Sequence, residues 1–342
     1  MTDTNNKIFL TQEIGSLKKP GWLLELVRSK SIAEQEKNKA RNDAAYLNIK
    51  TLEDIGLDLV YDGEVRRVEM YEYPVRYIDG FEFAGLVRSW DNKYYKKARC
   101  VSRVSYRTDF HLDEFTFVKK NSGRIVKVPV TGPYTLADWS YNEFYRNKEE
   151  FVLDLAKNVV RPLIQDLVRH GAQVVQIDEP AATTHPDEMK IFAEAINECA
   201  RGIDAKIGVH ICYSGDEYGS LVQHSLEIKA SQFALEFANR DGWELGVSDD
   251  ARSGYSVLKE FREHGYKGEI GLGVVDVHVN DMEPAELVRD RLLYAEKVLG
   301  DPAKIYANPD CGLRTRTRSV AFEKLRRVVK GAEMAREAIG AS

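Results

Sequence analysis

Eight short apolar segments recur along the chain, and stretches with helical periodicity separate most of them. Several of these segments are continuously apolar rather than alternating, which is typical of parallel strands buried on both faces. The predicted strands cover residues 9–15, 57–63, 125–132, 174–178, 206–212, 233–237, 270–277 and 305–308. The predicted helices cover residues 151–170, 187–201, 219–230, 253–264, 284–299 and 320–339. Eight strands that alternate with helices predict an α/β fold, a (β/α)8 TIM barrel.

Residues 66–120 interrupt this rhythm, because tyrosine, phenylalanine and charged residues dominate them. Within this stretch, residues 100–110 alternate enough to predict antiparallel strands or a hairpin. We therefore expect a long insertion after the second strand, mostly antiparallel β, that lies at one end of the barrel. A separate small domain is the alternative. Apart from the insertion, residues 1–342 are expected to form a single barrel domain.

The amino-acid composition favours a folded globular protein over a disordered or membrane-spanning one. The 342 residues are 43% hydrophobic and 30% charged, which suits one large folded core. A formal charge of −5 gives no reason to expect a nucleic-acid partner. No apolar run reaches the ~18 residues of a membrane span, and the polar N-terminus does not resemble a secretory signal. Four widely spaced cysteines suggest free thiols, so we expect a cytoplasmic protein without a membrane partner.

The predicted strand ends carry most of the candidate chemistry. In barrels of this type, active-site residues come from the C-terminal ends of the strands and the loops that follow. All eight predicted strands end on polar or reactive groups. These groups are, in chain order, Ser16, Asp62 and Glu64, Thr131 with Trp139 shortly after, Asp178, His210 and Cys212, Glu236, Asp276 and His278, and Asp310 and Cys311.

Four of these residues form a plausible ligand set for Zn²⁺: His210, Cys212, Glu236 and Cys311. His210 and Cys212 are two residues apart on one predicted strand and therefore share a face. Each residue alone has an ordinary explanation, as a core cysteine, a buried histidine or a carboxylate paired with Arg240. If the four converge, the chain is a zinc enzyme that acts on a thiol.

The other strand-end residues each allow two interpretations. Glu64 and Asp178 either form salt bridges at the barrel mouth or bind the ammonium group of a substrate. Trp139 either packs in the core or provides a stacking surface. His278 either only orients Asp276 or transfers a proton, since its usual pKa is near neutrality.

The same strand ends resemble the catalytic C-terminal barrel of the cobalamin-independent methionine synthase family. The similarity runs in family order from about residue 14 to residue 316, and together the tracts are highly specific. The tracts are Ile14-Gly15-Ser16, Asp62-Gly63-Glu64, Thr131-Gly132-Pro133 with Trp139-Ser140, Gln176-Ile177-Asp178-Glu179-Pro180-Ala181, His210-Ile211-Cys212-Tyr213-Ser214, Leu235-Glu236 with Arg240, Asp276-Val277-His278, and Asn308-Pro309-Asp310-Cys311-Gly312-Leu313 with Thr315-Arg316.

The resemblance implies transfer of a methyl group to the thiol of homocysteine, which forms methionine. It implies a Zn²⁺ ion held by His210, Cys212, Glu236 and Cys311. It implies that homocysteine binds through Ser16, the backbone of Ile14 to Ser16, Glu64 and Asp178. It places Trp139 at the methyl-donor site and makes His278, beside Asp276, a candidate proton donor.

Departures from the family pattern leave the methyl donor open. Long family members carry a second, N-terminal barrel that helps to bind a folate tail, and these 342 residues do not contain it. After residue 181 the family usually continues Leu-Arg-Glu, whereas this chain has Ala182-Thr183-Thr184. The donor is therefore either a methyl-folate or a methyl-corrinoid, with a corrinoid protein as a candidate partner. Another zinc-dependent thiol alkyltransferase and a non-catalytic metal-binding homologue are the alternative functions.

Overall fold

The computed structural model describes residues 7–88, 94–107, 110–212 and 218–341. A parallel sheet with the strand order β1-β4-β6-β7-β8-β9-β10 forms its centre, and β2, β3 and β5 form a smaller sheet. The strands are β1 (Leu59–Val60), β2 (Ile78–Arg88), β3 (Tyr94–Tyr106), β4 (Ile125–Thr131), β5 (Tyr141–Asn142), β6 (Val174–Asp178), β7 (Lys206–Ile211), β8 (Gln232–Leu235), β9 (Glu269–Val275) and β10 (Ile305–Pro309).

Two residues of the first predicted strand connect the outer strands of the parallel sheet. Thr11 pairs in parallel with Ala307 of β10, and Gln12 pairs in parallel with Leu59 of β1. The sheet is therefore curled, as in a TIM-like barrel. The prediction of a regular strand over residues 9–15 was wrong in its extent. Phe9 has a φ of 47°, so its backbone is not extended, and the ladder pairing of this segment is confined to Thr11 and Gln12.

Helices follow most of the strands and cover the sheet. They are α1 (Gly21–Arg28), α2 (Glu34–Ile55), α3 (Glu72–Val75), α4 (Leu112–Asn121), α5 (Pro133–Asp138), α6 (Lys148–Leu155), α7 (Arg161–Arg169), α8 (Met189–Cys199), α9 (Gly219–His224), α10 (Val257–Glu263), α11 (Ala285–Leu299) and α12 (Arg318–Ala338). Each predicted helical segment contains a helix, although a π-helical turn at Ala156–Val160 separates α6 from α7. Among the described residues, no helix has the length and apolar composition needed to cross a membrane.

The long helix α2 was not predicted from the sequence. Its buried face consists largely of small or polar residues, including Ala40, Ala44, Ala45 and Asn48. Such a face gives a weak hydrophobic periodicity, because alanine contributes little apolar area. The helix is nevertheless capped at its C-terminus by Gly56, which has the left-handed conformation that favours glycine.

Residues 66–120 contain an antiparallel hairpin and also a helix of the outer layer. Strands β2 and β3 pair in antiparallel fashion, with Ile78 opposite Tyr106. Helix α4 packs against α2, α7 and β4, so it belongs with the helices that surround the central sheet. Strand β3 pairs with β5, which lies in the loop after β4. The hairpin is therefore attached to the end of the barrel where the β4 loop lies.

Candidate metal centre and substrate site

Three of the four predicted zinc ligands lie together at the C-terminal ends of β7 and β10. One ligand atom from each of His210, Cys212 and Cys311 lies within 4.8 Å of the other two. The imidazole of His210 is buried, and both cysteines are free thiols. The parallel register of the sheet brings these strand ends to one edge, which is why residues so distant in sequence converge.

The donor atoms of this cluster fit a zinc ion. The Nδ1 of His210 lies 3.0 Å from the carbonyl oxygen of Ala234, so Nδ1 carries the proton and Nε2 is left as the ligand atom. This buried Nε2 has no hydrogen-bond partner among the residues that the structure describes. A hydrogen bond from the Cys212 thiol holds the pKa of Cys311 well below its usual range. Burial acts to raise this pKa, and His210 acts to lower it further. One imidazole nitrogen and two cysteine sulfurs are donors that zinc prefers.

Glu236, the fourth predicted ligand, lies outside this cluster. Its Oε1 accepts a hydrogen bond from Nδ2 of Asn239 at 2.9 Å and lies 2.5 Å from Nε2 of His278. Burial raises the pKa of Glu236, and His278 opposes that shift. The structure thus brings together three predicted ligands and pairs the fourth with His278.

Asp310 holds the loop that carries Glu236. Its carboxylate accepts hydrogen bonds from the backbone N–H groups of Phe237, Ala238 and Asn239 at 2.9, 2.9 and 2.8 Å. Burial raises the pKa of Asp310 to about 8. Because Asp310 directly precedes Cys311, one strand end fixes both a cluster sulfur and the Glu236 loop. The sequence marked Asp310 only as a polar strand end and gave no sign of this role.

The predicted substrate residues Ile14 and Ser16 lie on the segment that bridges β1 and β10. A Cβ at Gly312 would lie 2.7 Å from the Oγ of Ser16, so Ser16 is in close approach to the residue after Cys311. A Cβ at Gly15 would lie 2.4 Å from the Oε1 of Glu64. These two glycines therefore permit Ser16 to approach the residue after Cys311, and Glu64 to approach the segment that carries Ile14 and Ser16.

Glu64 and Asp178 are buried carboxylates near the cluster. Asp178 lies opposite His210 in the register of β6 and β7, and burial raises its pKa to about 7. Burial also raises the pKa of Glu64, although Arg67 lies 3.8 Å away and opposes the shift. Arg67 is itself bound to Glu114, with its Nε 3.0 Å from Oε1. A further cation placed between Glu64 and Asp178 would therefore stabilise both carboxylates.

Trp139 follows α5 and is half-buried among aromatic rings. Its ring centroid lies 6.2 Å from that of Tyr71 and 6.1 Å from that of Tyr95 on β3. The hairpin therefore contributes an aromatic ring beside Trp139.

Glu179 anchors the helix that leads to Trp139. Its carboxylate accepts hydrogen bonds from the backbone N–H groups of Tyr134 and Thr135 at 3.0 and 2.7 Å. The end of β6 thus carries Asp178 and, in the next residue, the anchor of α5. No role for Glu179 was predicted from the sequence, although it lies within the family-like tract from 176 to 181.

Asp276 forms the turn that carries His278. The Oδ1 of Asp276 accepts the backbone N–H of His278 at 2.7 Å, and the N–H of Asp276 donates to Oε1 of Glu283 at 2.6 Å. The side chain of His278 is 37% exposed, so it reaches both solvent and the buried Glu236. Tyr213 and Ser214, from the tract that contains Cys212, lie outside the described residues.

The chain is similar to known proteins over nearly its whole length. The family model for the cobalamin-independent synthase catalytic domain matches residues 11–334. The methionine synthase of Thermoplasma acidophilum is 40% identical over 335 residues, which cover 94% of this chain and 96% of that protein. The methionine synthase of Thermococcus kodakarensis is 42% identical over 333 residues, which cover 96% and 94%.

A solved structure extends the similarity to three dimensions. The B12-independent methionine synthase from Shewanella sp. W3-18-1, in complex with selenomethionine, matches with a TM-score of 0.83 and 25% identity. The match covers 97% of this chain and 99% of that one. From the family model and the two relatives, the chain belongs to the cobalamin-independent methionine synthase family, whose catalytic domain it spans.

Proposed function

We propose that the protein is a homocysteine S-methyltransferase, which moves a methyl group to the thiol of homocysteine and forms methionine in a zinc-dependent reaction. The observation that carries this proposal is the cluster of His210, Cys212 and Cys311 beside the buried carboxylates Glu64 and Asp178. The cluster suits a metal that binds sulfur, and the carboxylates suit an ammonium group. Homocysteine carries both a thiol and an ammonium group.

The metal ligands are Nε2 of His210 and the sulfurs of Cys212 and Cys311, with Glu236 as the fourth. Bound zinc would lower the pKa of a substrate thiol and so supply a thiolate nucleophile at neutral pH. Glu236 contacts His278 through Oε1, which lies 2.5 Å from Nε2, and a carboxylate has a second oxygen that can bind a metal while the first keeps its hydrogen bond.

The amino-acid part of homocysteine is held by residues around the cluster. Glu64 and Asp178 accept hydrogen bonds from the ammonium group, and their burial strengthens this attraction. Ser16 and the backbone of residues 14–16 bind the remaining polar groups. The selenomethionine in the Shewanella relative supports an amino-acid site in this fold.

The donor side of the site is formed by Trp139 with Tyr71 and Tyr95. Residues 66–120 act as an insertion after the second strand of a (β/α)8 barrel, and their hairpin covers this side of the mouth. A flat donor, either a methyl-corrinoid or a methyl-folate, would stack on Trp139. With a folate, His278 donates the proton that the leaving group needs, and Asp276 holds the turn of His278 in place. A corrinoid, free or carried on a corrinoid protein, needs no such proton.

A second function is transfer of an alkyl group to a thiol without an amino group, such as coenzyme M. The two carboxylates argue against it, because they would repel a sulfonate. The test is to supply the zinc-loaded protein with homocysteine or coenzyme M and a panel of methyl donors, and to follow products by mass spectrometry. Methionine is the expected product. Methylated coenzyme M without methionine would favour the second function, and zinc binding without any product would favour a non-catalytic role.

A further inference from the structure

Gln176 lies inside the barrel and contacts two residues that are predicted to bind homocysteine, Ile14 and Asp178. Its Nε2 lies 2.8 Å from the carbonyl oxygen of Ile14 and 2.7 Å from Oδ1 of Asp178. Gln176 and Asp178 are two residues apart on β6 and therefore share a face of the strand. One amide nitrogen thus joins the bridging segment to β6 at the point where the substrate ammonium group is expected.

Lys127 fixes the orientation of this amide. The Nζ of Lys127, on β4, lies 2.6 Å from Oε1 of Gln176 and also donates to the carbonyl oxygen of Glu13. An ammonium group has only donors, so it faces the oxygen of the amide and never its NH₂ group. The NH₂ group must consequently point to Ile14 and Asp178. Both Lys127 and Gln176 are buried, so water does not compete for these bonds.

We propose that Gln176 is a positioning residue for the homocysteine ammonium group, with its amide held in one orientation by Lys127. This inference rests on the proposed function. The amide occupies one acceptor position on the Asp178 carboxylate and one on the Ile14 carbonyl, and each oxygen acceptor group retains capacity for a second donor. Because one nitrogen contacts both, the two acceptors keep a fixed separation that a single ammonium group can bridge. Gln176 itself does not touch the substrate.

The test compares ligands that differ only in the amino group. The two ligands are homocysteine and 4-mercaptobutanoate, which lacks only the amino group. Calorimetry measures the binding of each ligand to the zinc-loaded wild type and to Gln176→Met. We expect Gln176→Met to weaken homocysteine roughly tenfold or more, the usual effect of leaving buried acceptors unpaired. Binding of the analogue to this variant should weaken less than about threefold. The preference of the protein for homocysteine over the analogue should therefore fall. Zinc content should not change.

Gln232→Met is the matched control. Gln232 is also a buried glutamine inside the barrel. Its Oε1 accepts a hydrogen bond from Gln12 and its Nε2 donates to Glu269, neither of which is predicted to bind homocysteine. Its replacement should leave the preference for homocysteine intact. Gln176→Asn retains an amide on a shorter side chain and serves as the second variant should Gln176→Met fail to fold. It should also lose preference, because it cannot reach Lys127 and both acceptors together.

The outcomes separate the inference from the function on which it rests. Equal weakening of both ligands in the Gln176 variants, or an unchanged preference, would overturn the positioning role while leaving the ammonium site in place. A wild-type protein that binds both ligands equally would overturn the ammonium site itself, and the positioning role with it. A wild-type preference that only the Gln176 variants lose would support both.

Discussion

The Nε2 of His278 lies 2.5 Å from the Oε1 of Glu236, and this contact links the solvent-facing side of the site to its buried interior. The hydrogen bond to Glu236 raises the pKa of His278 above its ordinary value of 6.5. The same carboxylate is the expected fourth zinc ligand, so His278 contacts a residue of the proposed metal site.

The first prediction concerns the metal-free protein. Glu236→Gln should lower the pKa of His278, since the neutral amide no longer stabilises the imidazolium. In the wild type, a raised pKa means that the pair stabilises the folded state below pH 6.5, and that this contribution is lost as the pH rises through the raised pKa. An NMR titration of the His278 ring protons measures both forms. Identical titration curves in the two proteins would contradict the assigned contact.

The second prediction concerns the metal ligands. The purified protein should hold about one zinc ion per chain, and Cys212→Ser or Cys311→Ser should lose most of it, because hydroxyl groups are poor zinc ligands. Metal content is measured by mass spectrometry after dialysis against a weak chelator. Cys199→Ala is the control, since Cys199 is buried on α8 and is expected to keep full occupancy. Full zinc in both serine variants would remove these cysteines from the ligand set.

The third prediction concerns the ammonium site. Asp178→Asn should weaken homocysteine by about ten- to a hundredfold, because a charge-assisted hydrogen bond in a buried site becomes a neutral one. Zinc content should be unchanged, because Asp178 is not an expected ligand. Calorimetric titration of the zinc-loaded proteins with homocysteine gives the affinities. An unaltered affinity would show that Asp178 has a structural role only.

The fourth prediction concerns the methyl donor. We expect these 342 residues to form one barrel, which offers no second domain to grip a long anionic folate tail, and their net charge of −5 does not attract such a tail. Methyl transfer from triglutamylated methyl-folate should be slow or undetectable, and a methyl-corrinoid or another donor should be better. Rates of methionine formation with each donor measure the difference.

Trp139→Ala provides the control for the donor surface. This variant should slow methyl transfer from a flat donor. Zinc content and homocysteine affinity should be unchanged, because Trp139 contacts Tyr71 and Tyr95 and is not expected to bind zinc or homocysteine. Efficient turnover with the folate alone, lost in this variant, would show that one barrel suffices to bind the folate.

Much of the architecture could be predicted because the hydrophobic pattern that marks each strand and helix is a local property of the sequence. Continuous apolar runs such as Val174–Asp178 and Lys206–Ile211 are strands in the structure. Helix α2 was not predicted because its buried face is rich in alanine. Helix α4 was not predicted because it lies within residues 66–120, after the hairpin that interrupts the alternation of strands and helices. The first strand is shorter than predicted: Phe9 is not extended, and only Thr11 and Gln12 pair with neighbouring strands.

The sequence by itself determined which residues could meet. The C-terminal ends of parallel strands lie at one edge of a barrel, so the assigned strands place His210, Cys212, Glu236 and Cys311 at the same end, and the structure brings three of them into one cluster. Only the tertiary structure decided how the buried polar groups pair. Glu236 with His278, and Gln176 with Lys127, are contacts between segments far apart in the chain, and their geometry depends on distances of tenths of an ångström that no local pattern encodes.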